Sequence, residues 1–220
     1  MQAQRVDGVI LATAVLGDPV VDFIVEAGMK AVLVNRADDS GRLASVVSDD
    51  RLAMKLVVEH LAARGCERIA HLAGPADLPT GVGRRLGFEH ALRALGRRSA
   101  GIVPCDAYSR EAGRAAMQRL LGGRGRRPDA VVCCNDLVAL GAYDALAAAG
   151  LRVPQDTSVT GHNDMQLADL VHPPLTTIRP PLREMGWRAA QLLFERLDGL
   201  QLSPAAVVLP PELVVRGSTR

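Results

Sequence analysis

The sequence predicts an α/β fold built of parallel strand–helix units, and three observations carry that reading. Short apolar runs bounded by Gly and Pro alternate along the whole chain with stretches of helical periodicity, the pattern of a parallel sheet with crossover helices. Hydrophobic residues make up 48% of the 220 and charged residues 23%, enough to bury a core in one large domain or two small lobes. No internal repeat and no low-complexity tail interrupts the alternation.

Taken in order, VDGVIL (6–11) is a strand and DPVVDFIVEAG (18–28) a helix stopped by Gly28. KAVLVN (30–35) is the next strand. A helix follows from about 50 to 64, with Asp49 or Asp50 as cap, Ala53, Leu56, Val57 and Leu61 on one face, and Gly65 in the stop position. RIAHLA (68–73) is a strand; a Gly/Pro loop leads to a helix ending at Gly96, then GIVP (101–104), then a helix from Ser109 to Leu121. After the basic loop GGRGRRP comes the strand AVVCC, and Asn135 opens another helix. That helix, DLVALGAYDALAAAG, is apolar almost all round, with Asp144 the main exception; the expectation is burial against the sheet on one side and against a subunit partner on the other. DTSVTGHND (156–164) supplies a strand and loop, LTTIR an extended segment, and 181–198 the last long helix. The end, AVVLPPELVVRGSTR, is two short extended pieces split by Pro210 and Pro211.

Composition narrows the function classes. A net charge of +2 does not argue for nucleic acid, membrane or acidic substrates, and 3% aromatic content excludes a base-stacking surface for single strands. Cys66, Cys105, Cys133 and Cys134 show no C-x-x-C spacing and are expected as buried thiols in a reducing compartment. The first residues carry one early Arg and an apolar stretch interrupted by Asp7, so no signal peptide is expected, and no apolar run approaches the roughly 18–20 residues that span a bilayer. These point to the cytoplasm.

In an open parallel sheet, ligands collect beyond the carboxyl ends of the strands, where helix N-termini present free N–H groups. The loops in those positions offer Thr80 and Arg84 after RIAHLA, Tyr108 after GIVP, Asn135 after AVVCC, and His162, Asn163 and Asp164 after SVTG. One aromatic face, one fork donor, two amides and a carboxylate suit a neutral, hydroxyl-rich or planar small molecule; a phosphate would want more positive charge.

Structural roles compete with each of these. Asn135 is a helix N-cap in its own right, Arg84 stands beside Arg85 on a helix face where solvation suffices, and Tyr108 can simply pack at a loop. His162 can be a hydrogen-bonded structural residue, and so can His71 inside a strand. His60, His71, His90 and His172 are scattered over different elements, so no metal is expected. The basic loop GRGRR, with no interleaved aromatic, reads as a solvated turn. GPADLPTGVG matches neither a dinucleotide nor a phosphate-loop pattern, and no G-x-S-x-G is present, so no cofactor and no nucleophile elbow are expected.

RVDGVIL, VVEHLAARGCERIAHLAGP, RRLGFEHAL, VVCCNDLVALGAYDALAAAGLRVPQDTSVTGHND, PPLTTIRPP and LPPELVVRGSTR, in that order, resemble the effector-binding core of the lactose/galactose repressor (LacI/GalR) family of bacterial transcription regulators, over nearly the whole chain. The resemblance implies a type I periplasmic-binding-protein fold of two doubly wound parallel-sheet subdomains with an effector in the cleft. The crossovers would fall near 65–67, 177–180 and 209–212. One subdomain would comprise 1–65 plus 180–209, and the other 66–179 plus 210–220. It places Thr80, Arg84, Tyr108 and Asn135 at effector contacts, with Tyr108 covering a sugar or base ring. Asn163 stands where the family commonly has Asp, followed by Asp164, and Leu78 occupies a loop position that some members give to a charged contact. Family proteins carry a helix-turn-helix headpiece and about two further strand–helix units ahead of the region matched here, so the N-terminal subdomain is expected to be incomplete, with an open sheet edge. The function implied is binding of a small-molecule effector, a sugar, polyol or nucleobase-like compound, by a homodimeric regulator that reaches operator DNA only through a headpiece outside this chain. Two alternatives share the scaffold: a transporter's solute-binding protein, which needs an export signal, and an enzyme using His162 as base and Asp164 as its orienter.

Overall fold

A computed structural model describes residues 6–37, 41–200 and 206–220; residues 1–5, on which part of the leader reading rests, 38–40 and 201–205 lie outside it. The described residues form two compact units, one of those within 1–49 with Asp77–Thr80 and those within 181–210, the other of Asp50–Ala76 with Gly81–Pro180 and Pro211–Arg220.

The first unit holds a four-stranded parallel sheet, order β1-β2-β3-β9, of β1 (Gly8–Leu11), β2 (Lys30–Val34), β3 (Ala44–Ser48) and β9 (Ala206–Leu209). Its two faces are read directly from strand alternation. On β2, Ala31 and Leu33 point to a cluster with Val21 and Ile24 of α1 (Pro19–Glu26), while Val32 points to one with Met185 and Ala189 of α6 (Leu182–Leu197). Asp18 caps α1 through the Val20 N–H at 2.9 Å, Pro19 occupies its first turn, and Gly28 ends it at φ +63°. β3 has no counterpart in the sequence expectation. Two of its five residues are serines, and it becomes a strand because β2 and β9 pair with it from both sides.

The second unit holds a six-stranded sheet, order β10-β8-β7-β6-β4-β5, of β4 (Ile69–Ala73), β5 (Gly101–Pro104), β6 (Ala130–Cys133), β7 (Ser158–His162), β8 (Thr176–Arg179) and β10 (Glu212–Val214). All pairings are parallel except β10 on β8. The prolines at 210 and 211 thus separate two strands that belong to different sheets. One face is covered by α2 (Asp50–Ala63) and α3 (Pro79–Ala94), through Ala53, Met54, Val57, Phe88 and Leu92 against Ile69, Val132 and Ile178. Hence α2 lies in the second unit rather than with residues 1–49, because its apolar face finds its partners on β4, β6 and β8.

The other face carries α4 (Arg110–Leu121) and α5 (Asp136–Ala148). Part of the second cover expected for the all-apolar helix comes from within the chain, since α4 packs along α5. Two glycines make that close crossing possible. A Cβ on Gly141 would stand 2.0 Å from the Arg110 carbonyl oxygen, and one on Gly113 would stand 2.3 Å from that of Val138. All four cysteines are buried and free. Among the described residues, no helix is long and apolar enough to cross a membrane.

Candidate functional site

In the second sheet the chain runs from β4 outward to β5 and then back across to β6, which leaves a switch point at the carboxyl ends of these strands. The loop after β4 enters α3 over Gly81, where a Cβ would meet the Pro75 carbonyl at 2.0 Å; only glycine admits this approach. Thr80 and Arg84 follow one helical turn apart, so they share a face of α3, and both are buried.

Arg84 is the centre of the site. Its Nε donates to Asp50 Oδ1 at 3.0 Å and its Nη1 to the Cys134 carbonyl at 2.6 Å, with the side chain only 4% exposed. Burial works against its charge, but the Asp50 carboxylate and then Tyr108 outweigh it and raise the guanidinium's pKa. Gly83 makes room for this, since a Cβ there would lie 3.2 Å from Asp50 Oδ2. The solvated-face reading of Arg84 is therefore not what the structure shows. Asp50 is a site residue that sequence reasoning treated only as a helix cap; its signal was an acid at a helix N-terminus whose position after a strand was hidden because β3 was not foreseen.

Cys134 leads directly into Asn135, whose Oδ1 accepts the Val138 N–H at 2.8 Å and caps α5. The capping role is thus real, and it fixes the amide at the sheet edge beside Arg84. Tyr108 is half-buried after β5, and its ring fills the space that Gly74 leaves open, with Cε1 and Oη each 2.7 Å from where a Cβ would be. Gly74, Arg84, Tyr108, Asn135 and Asp50 are therefore brought together at one edge.

The residues after β7 divide. Asn163 adopts φ +108° and Asp164 φ +49°, conformations that Asn and Asp tolerate better than other side chains. Both Asp164 oxygens are taken at 2.6 Å, by Arg179 Nε and Arg216 Nη2. Burial acts to raise its pKa, but the two arginines prevail and lower it. His162 is fully buried beneath the site, its Nε2 3.8 Å from Asp50 Oδ1. A base and orienter pair of His162 and Asp164 is absent: the carboxylate is engaged elsewhere. His71 is structural, its Nδ1–H donating to the Val132 carbonyl at 2.7 Å while its ring stacks on Phe88.

A second carboxylate went unnoticed in the sequence. Asp136 accepts from Thr177 Oγ1 at 2.6 Å and from the Met165 N–H at 2.7 Å, tying the β7 loop and β8 to the start of α5. Burial, ahead of its hydrogen bonds, pushes its pKa up to about 6. Among the described residues, no three His, Cys, Asp or Glu side chains are grouped to hold a metal ion.

A family profile described as a periplasmic binding protein-like domain matches residues 58–219. A LacI family transcriptional regulator from Mycobacterium smegmatis superposes with a TM-score of 0.88 at 35% identity, over 99% of this chain and 80% of that one. The chain belongs to the LacI family. Two further likenesses are to one regulator. The transcriptional regulator CelR of Thermobifida fusca is 34% identical over 99% of the chain, and a solved CelR–cellobiose complex superposes with a TM-score of 0.91 at 34% identity, covering 98% of this chain and 66% of that one. The chain spans 65% of the length of the CelR sequence it matches. These relatives carry the names of transcriptional regulators.

Proposed function

We propose that this LacI-family chain is the effector-sensing core of a homodimeric transcriptional regulator working in the cytoplasm. Thr80, Arg84, Tyr108, Asn135 and Asn163 contact the ligand, Asp50 serves with Arg84, and His162 and Asp164 stay behind the contact surface. The observation that supports this most is the buried Arg84, fixed by Asp50 and the Cys134 carbonyl immediately beside Asn135. A cation whose charge is balanced by one carboxylate leaves a neutral, donor-rich and acceptor-rich surface, and Tyr108 adds an aromatic face. Such a surface fits a neutral hydroxylated ring, a sugar first, ahead of polyols and nucleobases. The CelR neighbour holds cellobiose, so that disaccharide is the first compound to test. Operator DNA would be reached through a helix-turn-helix headpiece outside these residues, and ligand binding would shift the regulator between conformations with a coupling of about 1–3 kcal/mol.

The experiment is a thermal-shift screen of cellobiose, other neutral oligosaccharides, polyols and nucleosides, followed by calorimetry. A ligand at about 100 times its Kd stabilises the fold by ~2.7 kcal/mol. Tyr108→Ala is expected to weaken binding about tenfold, the loss of a ring contact worth ~1.5 kcal/mol, while leaving the Arg84 anchor intact. A screen in which no compound raises Tm, or binding indifferent to Tyr108→Ala, overturns the site.

A further inference from the structure

The face of the second sheet beneath α2 and α3 contains a polar seam in an otherwise apolar layer. The register aligns His71 with Val132 and Val132 with Thr160, and His162 with Ile178. Val132 and Ile178 pack with Met54 and Phe88, so His71, Thr160 and His162 lie on that same face. His71 Nε2, Thr160 Oγ1 and both ring nitrogens of His162 are buried without a hydrogen-bond partner among the described residues. Buried polar atoms in native proteins are almost always engaged, so a fully buried imidazole with neither nitrogen bonded requires a reason.

A carboxylate close to the ring supplies one. His162 Nε2 is 3.8 Å from Asp50 Oδ1, the oxygen that accepts from Arg84 Nε. We propose that His162 is the positioning residue of the Asp50–Arg84 pair: its imidazole fills the space beneath the Asp50 carboxylate, with Nε2 3.8 Å from Oδ1 and outside hydrogen-bond distance, and with its N–H dipole toward that oxygen it keeps the carboxylate in place under Arg84. The proposal rests on the ligand site described above, and it gives His162 a role through Asp50 rather than on the ligand.

The charges around the ring agree with this. Asp50 comes from α2, Arg84 from α3 and His71 from β4; burial first, then the field of Arg84, then His71, keep the His162 ring uncharged. An imidazolium would compete with Arg84 for the same carboxylate. An uncharged ring with its N–H aimed at Asp50 supports the pair without disturbing its balance.

The test uses the full chain with no ligand, so its failure is separable from failure of the sugar-binding reading. Ring nitrogen spectra at pH 7 and pH 5 are expected to show His162 as a single Nε2-protonated form at both. The Arg84 Nε–H is expected to exchange slowly with solvent. His162→Phe keeps the ring's bulk without its N–H and should speed that exchange about tenfold, equivalent to ~1.4 kcal/mol in the opening equilibrium. His162→Gln, with an amide N–H, should restore most of the protection. An Nδ1-protonated ring, a ring that titrates between those pH values, or Arg84 exchange unchanged in His162→Phe overturns the proposal. Should the Phe variant fail to fold, the ring spectra of the unsubstituted protein and the Gln variant decide it.

Discussion

Arg84 shows what a single residue type decides. The guanidinium meets Asp50 with one nitrogen and the Cys134 carbonyl with another, a division that a lysine ammonium on a flexible stem cannot reproduce with the same geometry. Arg84→Lys is therefore expected to leave one buried partner unmet and to lower stability by about 1–3 kcal/mol in urea unfolding. Asp136 invites the parallel experiment. Its carboxylate accepts from both Thr177 and Met165, and Asp136→Asn would keep one oxygen for the Met165 N–H while its NH2 forces the Thr177 hydroxyl to turn from donor to acceptor. A loss of about 2 kcal/mol is expected, with chemical denaturation as the measurement.

At the scale of elements, the α4 and α5 crossing depends on two glycines, whereas another helix glycine is idle. A Cβ on Gly141 would overlap the Arg110 carbonyl and stand 2.4 Å from Arg114 N, all backbone that cannot rotate away. Gly141→Ala should push the helices apart and destabilise by about 2–3 kcal/mol. Gly186, inside α6, has nothing within 4 Å of the same construction. Gly186→Ala should stabilise by about 0.5–1 kcal/mol, because alanine gives the unfolded chain less freedom to lose and introduces no clash. Urea midpoints of the two variants, measured side by side, are expected to move in opposite directions.

For the whole molecule, the buried titrating groups set the dependence on pH. Burial lowers the His71 pKa to about 4 and holds that of His162 well below the usual 6.5. Groups depressed in this way contribute stability that is present above about 6.5 and lost as pH falls, because the unfolded chain then binds protons that the folded chain refuses. Asp136, raised to about 6, acts in the opposite sense: its contribution is present below its unfolded value of 3.8 and is lost as pH rises through 6. Each group changes stability by at most ~1.4 kcal/mol per pH unit, so between pH 6 and pH 4 two histidines outweigh one aspartate. Stability is expected to fall as the solution is acidified below about 6.5, and His71→Gln to flatten that slope. Urea midpoints at pH 7.5, 6 and 5 measure both.

The helices and most strands were legible in the sequence because their signals are local. Asp18 before Pro19, Ser109 before Arg110, Asn135 before Asp136 and the glycines at 28, 65 and 96 mark boundaries through hydrogen bonds and backbone conformations that depend on near neighbours. The edge that gathers Arg84, Tyr108 and Asn135 was legible too, because parallel strands deliver their following loops to one side. Only the tertiary structure decided what long-range contacts decide: that ASVVS is a strand, that α2 packs on the second sheet, that α4 packs on α5, and that Asp50 meets Arg84 across 34 residues of sequence. Each of these depends on which surfaces are close enough to exclude water, and a window of neighbouring residues carries no record of that distance.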